Sequence, residues 1–287
     1  MKGRKIIKFI GDEFVYGGHL LSFSIACITI AGALILRIDY TLDFFIVVYL
    51  IAQLIYSYNR YKEFVSDIIS NPERSEYLEK RKRILPLSIA IYSFLLIFLV
   101  ILYGNLKSII FIFILIILGL GYTAIFKKLT YRIIGFKNFF VAFTSSLLAP
   151  FLALYFFHPF NSAVLLFSIF IFFKTFINTS FCDIKDIESD QLEGLKTLAI
   201  YFKEKKTLIL LNFLTVLSAT PIVLGVYLNK LPVYSLFLIL TIFYNFYYFY
   251  NYKKTLTKNE RIFSYIVDAE FYLWPLLIIF GKILLEF

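Results

Sequence analysis

The chain has 287 residues, of which 60% are hydrophobic and 20% aromatic, and a formal net charge of +10. Its mean hydropathy is +0.81, while soluble globular chains are only about 45–50% apolar; a water-soluble domain is excluded, and most of the chain belongs in a bilayer. The basic excess does not point to nucleic acid, because no soluble basic domain is present to carry such binding.

Nine apolar runs follow one another, at residues 14–36, 43–59, 84–103, 107–126, 138–158, 161–182, 207–228, 231–251 and 263–285. Each is long enough to cross a bilayer as a helix of roughly 17–25 residues. Backbone groups in lipid must find partners within the segment, and the period-two alternation of a membrane β-barrel is absent, so helices are expected. The N-terminal stretch is basic and then apolar, like a signal peptide. It has no convincing small-residue cleavage site and is read as the first helix. The expected architecture is an all-α integral membrane protein of nine transmembrane helices. Residues 1–287 are read as one domain, because no low-complexity linker divides them.

Charge fixes the expected orientation. Lys2, Arg4, Lys5 and Lys8 precede the first run, and clusters of Lys and Arg follow the second, fourth, sixth and eighth. The opposite side receives only Arg37, Lys107, Lys230 and Lys282. Basic loops stay in the cytoplasm, so the N-terminus is expected there and, after an odd number of spans, the C-terminus outside. A multi-pass protein of the cell membrane follows, with its basic side against anionic headgroups. Cys27 and Cys182 fall within apolar runs and read as small apolar fillers, not a disulfide or metal pair.

Residues 60–83 and 183–206 form long charged loops on the expected cytoplasmic side, each opening with an acidic motif. The second motif is the sharper. On a helix, Asp183, Asp186 and Asp190 fall within an arc of roughly 60°. Three carboxylates on one face raise one another's pKa. Unless they simply point into water, such a face needs a cation, and hard oxygen ligands with space for water and phosphate suit Mg²⁺. In the first motif Asn59, Arg60, Glu63 and Asp67 share an arc of about 100°. Glu63 can ligate Mg²⁺. Arg60 cannot, and either salt-bridges Glu63 or Asp67 or binds phosphate directly.

These motifs, in this order, resemble those of the UbiA superfamily of intramembrane prenyltransferases, which have nine transmembrane helices and two Asp-rich motifs. Asp183, Asp186 and Asp190 match the family's second motif, Asp-x-x-Asp-x-x-x-Asp, and Gly194 with Thr197 and Leu198 resembles its usual sequel. Asn71-Pro72-Glu73-Arg74 resembles the stretch after the first motif, and Gly121-Tyr122-Thr123 with Lys127, Lys128 and Gly135-Phe136-Lys137-Asn138 resembles the central segment. The first motif departs from the family: Arg60 stands where an Asp is usual, and Glu63 replaces a second Asp. The resemblance implies catalytic carboxylates at Asp183, Asp186 and Asp190. It also implies a prenyl diphosphate bound through Mg²⁺ held by these three with Asn59, Glu63 and Asp67, and transfer of the prenyl group to an acceptor.

Diphosphate leaves once its charge is neutralised, and the carbocation-like centre must be kept from water. Arg60, Lys127, Lys128, Arg132, Lys174 and Tyr122 are therefore expected around the diphosphate, although topology alone explains Lys127, Lys128 and Arg132 about as well. Lys174 lies inside a span, where an unpaired charge costs roughly 2.5 kcal/mol or more, and is read as neutralising phosphate or the acidic cluster. His19 reads as a core hydrogen-bonding residue, Gln53 and Asn178 as pocket lining, and Asp268 and Glu270 as charges near a helix N-terminus. The acceptor is left open. Two other readings compete: a terpene-cyclase-like or other diphosphate lyase, which altered first motifs would suit, and a non-catalytic lipid-binding or transport paralogue. Transporter charges usually sit near the midplane in broken helices, whereas these cluster at one face.

Overall fold

The computed structural model describes residues 2–63, 71–252 and 260–286. Every regular element among them is helical, and nine segments are long and apolar enough to cross a membrane. A leading helix α1 (Lys2–Tyr16) precedes the first two spans, α2 (His19–Leu36) and α3 (Leu42–Glu63). Helix α4 (Pro72–Arg81) separates these from the third span, α5 (Leu85–Tyr103). The fourth, α6 (Leu106–Gly121), is prolonged by a π-helical segment, Tyr122–Phe126, and one helical turn, Lys127–Thr130. Helices α7 (Phe136–Ser146) and α8 (Leu148–Tyr155) make the fifth span, and α9 (Ser162–Lys185) the sixth, followed by the short α10 (Ile187–Leu192). The seventh joins α11 (Leu198–Leu217) to α12 (Thr220–Tyr227). The eighth joins a 3₁₀ segment, Val233–Leu240, to α13 (Thr241–Asn251), and α14 (Glu260–Glu286) is the ninth.

The spans coincide with the apolar runs, and two boundaries differ for physical reasons. The first run does not begin a span at residue 14, because the chain breaks between α1 and α2. Gly18 there has φ 86°, and a Cβ on it would stand 2.1 Å from the Tyr56 ring; only glycine fits such a conformation at such a distance. The seventh span begins at Leu198, well before residue 207, because Thr197 caps α11 by accepting a hydrogen bond from the Ile200 backbone N–H. The helix is interrupted at Lys203, with φ 61° and ψ 162°, and carries exposed Lys205 and Lys206 at its end rather than in a loop.

Helix α2 packs against α14, α3 and α8. Its Ala26, Ala31 and Ala33 are fully buried, as suits helix packing in lipid, where small residues let backbones approach. Helices α5 and α6 leave most of their apolar surface exposed, as with Phe94, Ile101 and Phe113.

A buried ion pair ties the last spans together. Lys174 Nζ on α9 lies 2.5 Å from Glu270 Oε1 on α14, and neither side chain is exposed. Lys174 also donates to Asn245 Oδ1 on α13, and Asn245 Nδ2 donates to Glu270 Oε2 at 2.6 Å. The Tyr248 hydroxyl, 3.2 Å away, donates to the same carboxylate oxygen. This corrects two expectations. Lys174 faces a carboxylate between helices, not phosphate or the acidic motif, and Glu270 lies well inside α14, not near its N-terminus. His19 does make core hydrogen bonds, with Nδ1 2.5 Å from the Tyr49 hydroxyl.

Candidate active site

The second motif does not continue α9 as one straight helix. The chain turns at Asp186 (φ −95°, ψ 12°), between α9 and α10, and the Asp190 N–H donates to the Asp186 carbonyl at 2.9 Å. All three carboxylates nevertheless line one cavity of about 300 Å³ at this end of the bundle.

Asp183 is the most buried of them. Its Oδ1 accepts from Lys137 Nζ and its Oδ2 from Asn138 Nδ2, both at 2.8 Å. These donors are presented by the tight turn that starts α7. Gly135 has φ 69°, and a Cβ there would lie 3.1 Å from Leu198. Its N–H donates to the Lys196 carbonyl at 2.8 Å, and the Lys196 N–H donates to the Thr130 carbonyl at 2.9 Å. The loops before α7 and after α10 are thereby stitched together, which sets Lys137 and Asn138 against Asp183.

Asp186 and Asp190 are less satisfied. Asp186 Oδ1 lies 3.8 Å from Lys185 Nζ without a hydrogen bond, and Asp190 Oδ2 is buried with no partner. Burial raises the Asp186 pKa against the pull of Lys185, Lys137 and Arg74. Burial likewise pushes Asp190 up to about 7, with Lys137 opposing and Asp183 adding to the rise. Lys185 Nζ donates to Asn71 Oδ1 at 2.5 Å, tying the start of α4 to the second motif, and α4 brings Arg74 to the cavity.

The facing walls come from α3, from the π-helical segment and turn that follow α6, and from α14. Arg60 lines the cavity with its guanidinium carbon 4.9 Å from the Tyr56 ring centre, within cation–π range. The π-helical segment explains how Tyr122 and Lys127 both reach the cavity. Residues five apart on an α-helix stand about 140° apart, but here the Lys127 N–H bonds to the Tyr122 carbonyl, and the wider turn brings them toward one face. Lys127 Nζ is 3.1 Å from Glu193 Oε2. Lys128 and Arg132 are exposed and line none of the cavity; on this helical turn Lys127 faces inward, so its neighbour faces out. Asn59 accepts from the Thr123 hydroxyl at 2.9 Å and lines the groove described below. Glu63 ends α3, and its side chain, like all of Asp67, lies outside the described residues.

Among the described residues, the cavity walls carry five basic side chains (Arg60, Arg74, Lys127, Lys137, Lys185) and five carboxylates (Asp183, Asp186, Asp190, Glu193, Asp268). No three acidic, His or Cys side chains among them converge closely enough to cage a metal ion. That arrangement still fits Mg²⁺, which is usually held by one or two carboxylates with phosphate and water instead of a complete protein cage. The buried, unpaired oxygens of Asp186 and Asp190 are of that kind.

A second, apolar groove of about 240 Å³ adjoins the polar cavity and shares Leu21, Tyr56 and Tyr122 with it. It runs between α2, α3, α6 and the fifth span. The model of the UbiA prenyltransferase family matches residues 20–274, which include both acidic motifs and the whole lining of the apolar groove. The chain belongs to the UbiA prenyltransferase family. Solved structures agree on the fold. A UbiA homologue from Aeropyrum pernix K1 in its apo form aligns with a TM-score of 0.68 at 16% identity, over 93% of this chain and 98% of that one. A structure of digeranylgeranylglyceryl phosphate synthase aligns with a TM-score of 0.60 at 20% identity, over 97% and 99% of the two chains. No curated protein matches the sequence.

Within the UbiA fold, the polar cavity and its rim also hold residues whose contacts no local pattern in the sequence reveals. In the sequence Lys137 and Asn138 stand out only as part of a family-like segment, and Asp268, which reads there as a helix-end charge, lines the cavity. Asn178 was expected to line the pocket; it does, and its amide also donates to the Val267 carbonyl at 3.1 Å, holding α9 to α14 beside Asp268.

Proposed function

We propose that this protein is a Mg²⁺-dependent membrane prenyltransferase that moves a prenyl group from a prenyl diphosphate to an acceptor. One observation carries the reading. A charged cavity and an apolar groove lie side by side and share Leu21, Tyr56 and Tyr122 as walls, the outline of an amphiphile with an anionic head and a hydrocarbon tail. Arg60, Lys127, Lys137 and Lys185 hold phosphate oxygens. The cavity's charges are nearly balanced before any diphosphate enters, so cations must accompany it. Asp186 and Asp190, with the first-motif groups Asn59, Glu63 and Asp67, would hold Mg²⁺, which neutralises the leaving diphosphate, while Asp183 holds Lys137 in place beside them. The C1–O bond of the prenyl diphosphate breaks with the electron pair passing to diphosphate, an electron pair of the acceptor bonds to C1, and the acceptor's proton leaves. The groove keeps water from C1, and the Tyr56 and Tyr122 faces stabilise its developing charge. By the distribution of Lys and Arg, this end of the bundle faces the cytoplasm. Residues 1–287 act as one domain in the cell membrane.

The deciding measurement is pyrophosphate release from a prenyl diphosphate by protein in lipid nanodiscs, with and without a lipid or aromatic acceptor pool. Release that requires acceptor is expected. Release without any acceptor would make the protein a lyase, and no release under either condition would overturn enzymatic turnover.

The raised pKa of Asp190, about 7, gives a pH dependence. A cation favours the ionised carboxylate, so binding must expel the proton. Mg²⁺-supported diphosphate affinity should therefore be weak below that pKa, rise through it and level off above it. Calorimetry at about pH 6.5 in two buffers of different ionisation enthalpy should report proton release on Mg²⁺ binding. Equal heats in both buffers would contradict this.

A further inference from the structure

We infer that the apolar groove is a ruler for the isoprenoid tail, closed at four units by Phe151. The inference rests on the diphosphate reading above and adds the length of the substrate.

The groove has an open end and a blocked end. At the cavity end stand Asn59 on α3 and Phe140 on α7; at the far end stand Val48 on α3 and Phe151 on α8. Both walls therefore run eleven residue steps, and at a helical rise of roughly 1.5 Å per residue each measures about 16 Å. An extended chain advances about 1.2 Å per bond, so an isoprenoid unit of four bonds spans about 5 Å. Three units fill the groove. The unit that carries the diphosphate lies above them, at the Tyr56 and Tyr122 junction.

The far end is built to stay shut. Phe151 is fully buried. Its ring stacks on Phe111 at 5.7 Å between centroids with planes 5° apart, and lies 5.0 Å from Phe44, itself fully buried. Interiors packed this way yield little to an extra group. The sides also close with depth: Ile55 and Thr144 near the mouth are partly exposed, whereas Val48 is buried beside Phe151. A fifth unit must displace an aromatic cluster or leave the groove.

The test is Mg²⁺-supported binding of all-trans prenyl diphosphates of two to six units to protein in nanodiscs, for wild type and three variants. Wild-type affinity should rise with each unit up to four and then stop rising. Phe151→Ala should move the limit to five units, raising the ratio of five-unit to four-unit affinity by about tenfold or more. Phe151→Leu, a gentler change should alanine fail to fold, should move it the same way by less. Ser145→Phe, which puts a ring part-way down the wall, should move it to three units or fewer while two-unit binding persists. A limit that stays at four units in every folded variant, or wild-type affinity that keeps rising to six units, overturns the ruler alone. Failure of the wild type to bind any length overturns the diphosphate reading and the ruler with it.

Discussion

Lys174→Met should destabilise the protein by about 3–5 kcal/mol, the scale for removing one partner of a buried ion pair. The pair lies inside the bundle with no exposure on either side, so water cannot take over from the lost ammonium. Glu270 keeps donors from Asn245 and Tyr248 but no counter-ion. Glu270→Leu should cost at least as much, since it leaves a buried ammonium whose remaining partner is the neutral Asn245 amide oxygen. The double variant Lys174→Met with Glu270→Leu should recover much of the loss, because an apolar pair of similar volume avoids burying charge at all. Denaturant titration in detergent micelles of the four proteins gives the coupling energy, expected at about 2–3 kcal/mol. Additive losses would mean that the two residues act separately. Diphosphate affinity should change little in the folded double variant, because Lys174 does not line the cavity.

The same pair marks the limit of what could be read from sequence. The spans were legible because lipid imposes a local rule: an unbroken apolar run must supply its own hydrogen bonds, and Lys and Arg mark its ends. The second motif was legible because Asp183, Asp186 and Asp190 lie close together in the chain. The identity of a side chain's partner obeys no local rule. Glu270 is 96 positions from Lys174 and Asp183 is 46 from Lys137, and only the packing of helices decides that they meet. Lone-residue expectations failed accordingly at Lys174, Lys128 and Arg132. The break at Gly18 was hidden for a related reason: glycine is required there by the Tyr56 ring of another helix. The π-helical segment at Tyr122 carries no composition signal that separates it from the apolar helix before it.

Asp186→Asn and Asp190→Asn should each remove Mg²⁺-dependent binding of a prenyl diphosphate, with affinity falling by a factor of about 30 to 1,000, the scale of losing one partner in a desolvated charged contact. Both changes keep the shape of the side chain and remove the charge, so packing is spared. Each carries a buried oxygen without a hydrogen-bond partner, the kind of acceptor a native fold rarely leaves without a reason. Asp183 should behave differently. Its two oxygens already accept from Lys137 and Asn138, so Asp183→Asn releases an ammonium into the cavity. Metal-free diphosphate binding should then hold or strengthen, while the gain on adding Mg²⁺ shrinks. Titration of the three variants with diphosphate, in Mg²⁺ and in chelator, separates a carboxylate that meets the cation from one that positions a lysine. Wild-type affinity and wild-type Mg²⁺ dependence in both Asp186→Asn and Asp190→Asn would remove the second motif from the metal site.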